Sequence, residues 1–132
     1  MKGLASKMTK PLPRGARLLC DDNSGAKIIE IIGVVGCKGT KSRYPAAGIA
    51  DLIIVSVKKG TPQMVKKVER AVIIRQRKEF KRPNGVRLMF EDNAAILIDD
   101  QGLPKGTEIK GVIAREVAER FPKVAGIAAA VV

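Results

Sequence analysis

Lysine and arginine side chains are concentrated in the middle of this chain, between residues 38 and 87. That stretch holds fourteen of them against three acidic residues, so it carries +11 of the chain's net charge of +12. Ammonium and guanidinium groups bind phosphate oxygens, and a field of one sign selects a partner of the opposite sign. The pattern therefore predicts that this region binds a polyanion.

Residue types that support catalysis or metal binding are scarce. The chain has no histidine and two cysteines, Cys20 and Cys37, which are too few ligands for a zinc site. We interpret both as small buried apolar side chains in a reducing compartment. The three acid pairs, at residues 21–22, 91–92 and 99–100, adjoin turn residues, where aspartate hydrogen-bonds its local backbone. We therefore expect no metal, no cofactor and no enzymatic activity on a small-molecule substrate.

A glycine-rich stretch after residue 33 does not fit a nucleotide-binding loop. The order Gly39-Thr40-Lys41-Ser42 lacks the Gly-Lys-Ser/Thr of a Walker motif. The tetrapeptide Gly36-Cys37-Lys38-Gly39 has the form of a KH-domain clamp, but that clamp joins two helices and this one follows a predicted strand. We interpret these glycines as parts of a tight, mobile loop.

The elements that position the basic residues are predicted to be short β-strands. Runs rich in β-branched residues are bounded by turn residues, at residues 17–20, 26–35, 49–57, 68–75, 86–90, 94–98 and 109–113. Six or seven short strands with short connections predict a mainly β fold, a small closed barrel, in a single domain covering residues 1–132.

A helix is predicted only near the end of the chain. Apolar residues recur at helical spacing from Ile113 to Val124, and Pro122 should end or kink the helix after Phe121. The uncharged tail, residues 125–132, is expected to form a second short helix or an apolar docking strip. We thus divide the domain into a basic N-terminal extension (1–16), the barrel, and a C-terminal helical segment (114–132).

The chain has no predicted membrane segment or secretory signal. No apolar run approaches the roughly 20 residues of a membrane helix. Residues 1–17 contain lysines but lack the apolar core of a signal peptide. We therefore expect a soluble intracellular protein with no membrane partner.

Three connections between strands carry the basic charge. The first, residues 36–48, is rich in glycine, and the second runs from Lys58 to Lys67. The third, residues 75–87, is predicted to be a long hairpin arm with Asn84-Gly85 at its tip, a pair that readily takes positive φ. Such an arm can reach into RNA while the barrel stays outside.

Aromatic side chains for base stacking are few. Phe90 and Phe121 fall on apolar faces and are expected in the core, whereas Tyr44 and Phe80 lie among basic residues and are the candidates for base contact. Lysine and arginine contacts to phosphate and ribose should therefore dominate, which favours recognition of structured RNA by its shape.

Several motifs resemble, in order, those of the ribosomal large-subunit protein 14 family. One runs from Ala71-Val72-Ile73-Ile74 through Asn84-Gly85 and Phe90 to the sequence N-A-A-I-L at 93–97. The others are D-N-S-G-A-K at 22–27, S-R-Y at 42–44, I-I-V-S-V-K at 53–58 and G-V-I-A-R-E at 111–116. The resemblance covers roughly residues 17–124. It implies a five-stranded β-barrel with a protruding basic β-hairpin and short C-terminal helices.

The resemblance also implies partners. Proteins of this family are structural constituents of the cytoplasmic ribosome that bind large-subunit rRNA and contact small-subunit rRNA across intersubunit bridges. They neighbour ribosomal large-subunit proteins 3 and 24. The ending at residues 120–125 resembles the archaeal and eukaryotic branch, in which anti-association initiation factor 6 docks on this surface. A free-standing RNA-binding or chaperone-like barrel outside the ribosome is the alternative, and a small-molecule enzyme is the third hypothesis.

Candidate contact residues follow from the basic segments and the resemblance together. For rRNA the hairpin ranks first, the glycine-rich loop second and the remaining connection third: Arg75, Arg77, Lys78, Lys81, Arg82 and Arg87; Lys38, Lys41, Arg43 and Tyr44; Lys58, Lys59, Lys66 and Lys67. For protein or bridge contacts we assign the C-terminal residues Arg115, Arg120, Lys123, Val124 and Ile127, with the apolar tail.

Overall fold

The computed structural model describes residues 3–132, so Met1 and Lys2 of the basic extension lie outside the described residues. Within that range the chain forms eleven strands and two short helices. In chain order they are β1 (Leu12–Pro13), β2 (Arg17–Cys20), β3 (Ala26–Val34), β4 (Ala46–Ala47), β5 (Leu52–Gly60), β6 (Val68–Arg75), β7 (Phe80–Lys81), β8 (Arg87–Leu88), β9 (Ala94–Ile98), β10 (Ile109–Ile113), α1 (Arg115–Arg120), α2 (Pro122–Ala125) and β11 (Ala128–Val131).

Five of the strands close a barrel in the order β2-β3-β5-β6-β9. Its neighbours pair antiparallel except β2 and β9, which pair in parallel and close the ring. This confirms the mainly β fold and the five-stranded barrel.

The barrel interior is filled by alternate apolar side chains, because successive residues of a strand point to opposite faces. Ile29 and Ile31 of β3 face Ile53, Val55 and Val57 of β5, and all five are at most 1% exposed. The buried residues of this core are isoleucine, valine, leucine and alanine. These residue types explain how a chain with so few aromatic residues fills its core.

A second core lies outside the barrel, against β6 and β9. Every residue of β9 is buried, because Ala95 and Leu97 point into the barrel while Ile96 and Ile98 pack into a cluster with α1, α2 and the segment after β6. Because β9 is buried on both faces, its sequence is a continuous apolar run. A strand buried on one face only would alternate apolar and polar residues.

The C-terminal segment differs in part from its prediction. The interruption at Pro122 is confirmed, since α1 ends at Arg120 and α2 begins at Pro122, where its missing N–H costs no helical hydrogen bond. The helical prediction is wrong for Ala128–Val131, which form β11 and pair in parallel with β10. Small residues without a helical apolar stripe add instead to the available edge of β10. No helix in residues 3–132 is long and apolar enough to cross a membrane.

The segment after β6, residues 76–90, is a hairpin anchored on the second core. Its ladder is two residues long, with Phe80 opposite Leu88 and Lys81 opposite Arg87. The tip is the predicted one, with Gly85 at φ 88° and its N–H donating to the carbonyl oxygen of Arg82 at 2.9 Å. Phe80 is only 1% exposed, so the hairpin is seated on the barrel at this point.

Candidate nucleic-acid interface

Two of the three basic connections leave the barrel at the same end. The glycine-rich loop (residues 36–48, the basic loop) begins where the N–H of Val35 donates to the carbonyl oxygen of Leu52 at 3.0 Å. Just after the loop, the N–H of Ile49 donates to Oε1 of Gln76 at 3.0 Å, and Gln76 is the first residue of the hairpin. The exit of the basic loop therefore contacts the base of the hairpin. We call this side the hairpin end.

The third basic connection lies at the other end of β5. That strand is nine residues long, so Gly60 is about 26 Å from Leu52 along it. There the N–H of Thr61 donates to the carbonyl oxygen of Gly25 at 3.0 Å. The four lysines of this connection, Lys58, Lys59, Lys66 and Lys67, are all exposed but are separated from the hairpin end by the length of the strand.

Six basic side chains of the basic loop and the hairpin are exposed and have no carboxylate partner within the described residues. They are Lys38, Lys41 and Arg43 of the basic loop and Arg77, Lys78 and Lys81 of the hairpin. Arg87 pairs with Glu79 at 2.9 Å, but both side chains are exposed, and such a pair contributes little stability. The arrangement concentrates uncompensated positive charge on one end of the molecule.

Arg75 points inward, contrary to its assignment as the first residue of an RNA-binding arm. Its Nε and Nη2 donate to the two carboxylate oxygens of Asp92 at 2.8 and 3.1 Å, and Nη1 donates to Asp21 at 2.8 Å. Nη1 also donates to the carbonyl oxygen of Val112 at 2.9 Å. Burial alone would lower the pKa of Arg75, but the hydrogen bonds that it donates to Asp92 and Asp21 outweigh burial and raise the pKa above its ordinary value. This guanidinium joins four segments of the fold and has no free face for RNA.

Arg82 is also buried, although it lies in the hairpin turn. Its Nε donates to Glu116 of α1 at 3.0 Å, and Nη2 donates to the other oxygen of Glu116 and to the backbone oxygen of Val132. Its guanidinium carbon lies 5.8 Å from the centroid of the Phe80 ring. Arg82 thus ties the hairpin to the C-terminal segment, and we remove Arg75 and Arg82 from the candidate interface.

Of the two aromatic candidates for base contact, one is exposed and the other is buried. Tyr44 is 79% exposed at the end of the basic loop. The expectation of base contact by Phe80 is wrong, because that ring is buried and lies 6.3 Å from the half-buried ring of Phe90. A single exposed aromatic ring therefore remains near the cations of the hairpin end.

The basic loop has a tight turn at its tip. Lys41 and Ser42 have φ of 52° and 58°, and the N–H of Arg43 donates to the carbonyl oxygen of Thr40 at 3.1 Å. Two successive positive φ values describe a turn of the I′ type, which ordinarily contains asparagine or glycine. The backbone here holds Lys41 and Arg43 on a tight turn, as the glycine-rich sequence predicted.

The N-terminal segment adds one exposed cation that the sequence did not place at the hairpin end. β1 pairs with β4, which lies within the basic loop, and the N–H of Arg14 donates to the carbonyl oxygen of Pro45 at 3.3 Å. Arg14 is exposed there, whereas the nearby Lys10 pairs with Asp51 at 3.3 Å. The pairing joins residues more than thirty positions apart, so no local signal in the sequence could reveal it.

The C-terminal candidates fall into two groups. Arg115 and Lys123 are exposed and Ile127 is half-buried. Val124 is fully buried in the second core, and Arg120 donates to the carbonyl oxygen of Ala50 at 3.1 Å and to Asp51 at 3.5 Å. Val124 is therefore a packing residue and not a surface for a partner.

Comparison with known proteins finds one family across nearly the whole chain. The profile of the family described as "Ribosomal protein L14p/L23e" matches residues 12–132. The "Large ribosomal subunit protein uL14" of Methanocorpusculum labreanum is 53% identical over 132 residues, all of both chains, and that of Methanothrix thermoacetophila is 54% identical over the same span. The protein of the same name from Methanococcus maripaludis is 55% identical over 128 residues, 97% of each chain.

Proposed function

Because this chain belongs to the ribosomal protein L14p/L23e family, we propose that it binds large-subunit rRNA chiefly through the exposed cations of its hairpin end. As a member of this family, the chain is a structural component of the large ribosomal subunit. The family consists of structural proteins and not of enzymes. The observation that carries the proposal is the set of six exposed basic side chains of the basic loop and the hairpin, which have no carboxylate partner among residues 3–132.

The contacts we propose are electrostatic and sensitive to shape. Six exposed cations bind phosphates: Arg77, Lys78 and Lys81 of the hairpin and Lys38, Lys41 and Arg43 of the basic loop. Tyr44 contacts a base or ribose. If about eight phosphates are contacted, the logarithm of affinity falls against the logarithm of salt concentration with a slope of roughly −6 to −7. The lysines at the far end of β5 contribute a separate, secondary contact.

Removing charge from the hairpin tests the proposal. The double variant Lys78→Gln/Lys81→Gln should weaken binding to deproteinised large-subunit rRNA and make the salt slope shallower by about 1.4 to 1.8, because two phosphate contacts are lost. Lys110→Gln, which removes an exposed lysine of β10, is the matched control and should leave the slope unchanged. Equal slopes for the double variant and the control would refute the assignment of the hairpin.

We further propose that the C-terminal segment forms the contacts with protein and with the small subunit. Arg115 and Lys123 are exposed, and Ala129 and Ala130 of β11 present a small, uncharged surface beside them. In this proposal the partners are small-subunit rRNA at an intersubunit bridge, ribosomal large-subunit proteins 3 and 24, and anti-association initiation factor 6. The family resemblance supports these partners, and the cytoplasmic ribosome is their common site.

Charge introduced on β11 tests that surface without disturbing the core. Ala129 is exposed, so Ala129→Glu should change the stability of the free protein by less than about 0.5 kcal/mol. Binding of the initiation factor to purified large subunits, and joining of the two subunits, should both weaken. Normal joining and normal factor binding by subunits that contain Ala129→Glu would contradict this part of the proposal.

A further inference from the structure

A fully buried amide side chain lies at the base of the hairpin. Gln76 is 0% exposed, and its polar atoms all have partners. Oε1 accepts the N–H of Ile49 at 3.0 Å, and Nε2 donates to Oγ1 of Thr9 and to the carbonyl oxygen of Lys78, both at 3.0 Å. A polar group is tolerated in such a place only when it is hydrogen-bonded, so this arrangement is specific.

The three partners of Gln76 belong to three different segments. Thr9 is in the N-terminal segment, Ile49 directly follows the basic loop, and Lys78 is in the hairpin. Thr9 extends the network, since its hydroxyl donates to the carbonyl oxygen of Glu79 at 2.9 Å. A Cβ atom at Gly48 would overlap the carbonyl oxygen of Thr9 and lie 3.1 Å from Oε1 of Gln76, so the junction has no spare room.

We propose that Gln76 is a positioning residue of the RNA-binding surface. Its amide fixes the base of the hairpin against the exit of the basic loop, and so sets the spacing between the cations of the two segments before RNA arrives. This inference rests on the proposed function, because it concerns how that surface is held. Gln76 itself touches no RNA, since it is covered on all sides.

The physical basis is preorganisation. Phosphates in folded RNA have fixed spacings, so cations on two independently moving segments must be ordered on binding, which lowers affinity. Phe80 and Arg82 also anchor the hairpin, but to the second core and the C-terminal segment. Gln76 joins the hairpin to the basic loop. Its loss should therefore weaken binding without changing how many phosphates are contacted.

Two variants and one control separate positioning from contact. Gln76→Leu removes all three side-chain hydrogen bonds, and Thr9→Val removes the hydroxyl that joins Gln76 to Glu79, whereas Thr9→Ser keeps it. Affinity for deproteinised large-subunit rRNA is measured for each protein over a series of salt concentrations. The Thr9 pair also decides the question if Gln76→Leu does not fold, because Thr9 is exposed.

We expect Gln76→Leu to bind about 10-fold more weakly at every salt concentration, and Thr9→Val to lose a smaller factor in the same way. Both should keep the salt slope of the unsubstituted protein, and Thr9→Ser should match it in affinity and slope. Hydrogen exchange at the N–H groups of Arg82 and Phe90 in the hairpin should become faster in Gln76→Leu.

Three results would overturn the inference. Unchanged affinity in Gln76→Leu and Thr9→Val would show that the spacing is not set by this junction. A shallower slope in either variant would show that phosphate contacts themselves are lost. Absence of salt-dependent binding by the unsubstituted protein would refute the proposed function as well, so the two failures are distinguishable.

Discussion

At the scale of single residues, two arginines of the basic region are buried and stabilise the fold, whereas their basic neighbours in the sequence are exposed. Arg75 and Arg82 meet their carboxylate partners in the interior, while Arg77 and Lys78 point into solvent. A guanidinium suits such interior sites, because its planar fork donates to a carboxylate through two nitrogens and to a third acceptor as well.

Replacing Arg75 tests its structural role. Arg75→Met should lower the free energy of unfolding by about 3 kcal/mol, because it leaves Asp21 and Asp92 without their partner and the carbonyl oxygen of Val112 without its donor. Urea unfolding measures the change. Arg77→Met, which alters an exposed arginine two positions away, is the control and should change stability by less than about 0.5 kcal/mol. Similar effects of the two substitutions would refute the distinction.

The two cysteines should differ sharply in reactivity. Burial raises the pKa of the Cys20 thiol from 9.0 to about 12, with the neighbouring Asp22 adding to the effect, so the reactive thiolate is almost absent at pH 8. Cys37 is exposed in the basic loop, so the prediction of a buried side chain is wrong for this cysteine. A thiol reagent at pH 8 should therefore label Cys37 in the folded protein and both cysteines in urea. Rapid labelling of two thiols in the folded state would contradict the structure.

The same shift predicts a loss of stability at high pH. The unfolded chain ionises Cys20 near pH 9, while the folded protein retains the thiol until about pH 12. The contribution of Cys20 is therefore complete below pH 9 and is lost as the pH rises towards 12. Urea unfolding measures the free energy of unfolding at each pH in this range. That free energy should fall less steeply with rising pH in Cys20→Ala than in the unsubstituted protein. Identical declines would contradict the raised pKa.

The sequence identified which segments are basic but not which basic residues are buried. Arg75 and Arg82 look like their neighbours in the sequence, and their partners Asp21 and Glu116 lie 54 and 34 positions away. Phe80 was misassigned for the same reason, because its basic neighbours in the chain are not its neighbours in the second core. Contacts of this range follow from the closed fold and leave no local pattern.

At the scale of elements, the close approach of β3 and β5 depends on one glycine. Gly60 has φ of 157°, and a Cβ atom there would lie 2.5 Å from the carbonyl oxygen of Gly25 and 2.9 Å from Cα of Ala26. Those atoms belong to the backbone, so no side-chain movement can relieve the overlap.

Substitution of that glycine should open this edge of the barrel. Gly60→Ala should destabilise the protein by about 2 to 3 kcal/mol, from the overlap and the strained φ together. Gly33→Ala in β3 is the control, since a Cβ atom there meets nothing within 4 Å, and its effect should stay within about 1 kcal/mol of zero. Thermal unfolding compares the two. Equal melting temperatures would argue against the close approach.

Strands whose residues have a high β propensity were predictable from the sequence. Strands that form only because they pair with a neighbouring strand were not. β6, β9 and β10 have their predicted bounds, because β-branched residues and bounding turns mark them locally. The predicted strand at 86–90 shrinks to Arg87–Leu88, with Val86 51% exposed, because the hairpin offers only a two-residue ladder. β11 consists of alanines and one valine, and only pairing with β10 makes it a strand.

At the scale of the whole molecule, the fold places the exposed positive charge of the basic segments at two ends of the barrel. The basic loop, the hairpin and Arg14 of the N-terminal segment share one end of the barrel, and the lysines from Lys58 to Lys67 occupy the other. The sequence predicted a polyanion-binding protein from charge alone, but the topology decides which cations act together. In the proposed function a large rRNA contacts both ends, and the hairpin end is the main surface.

Cross-linking of intact large subunits, followed by mapping of the peptides of this chain that carry RNA, tests whether the hairpin end is the rRNA surface. We predict no links at the buried Arg75 and Arg82. Links should concentrate in the basic loop and the hairpin, at Lys38, Lys41, Arg43, Tyr44, Arg77, Lys78 and Lys81. Links confined to the C-terminal residues 115–132, with none in those two segments, would contradict the account.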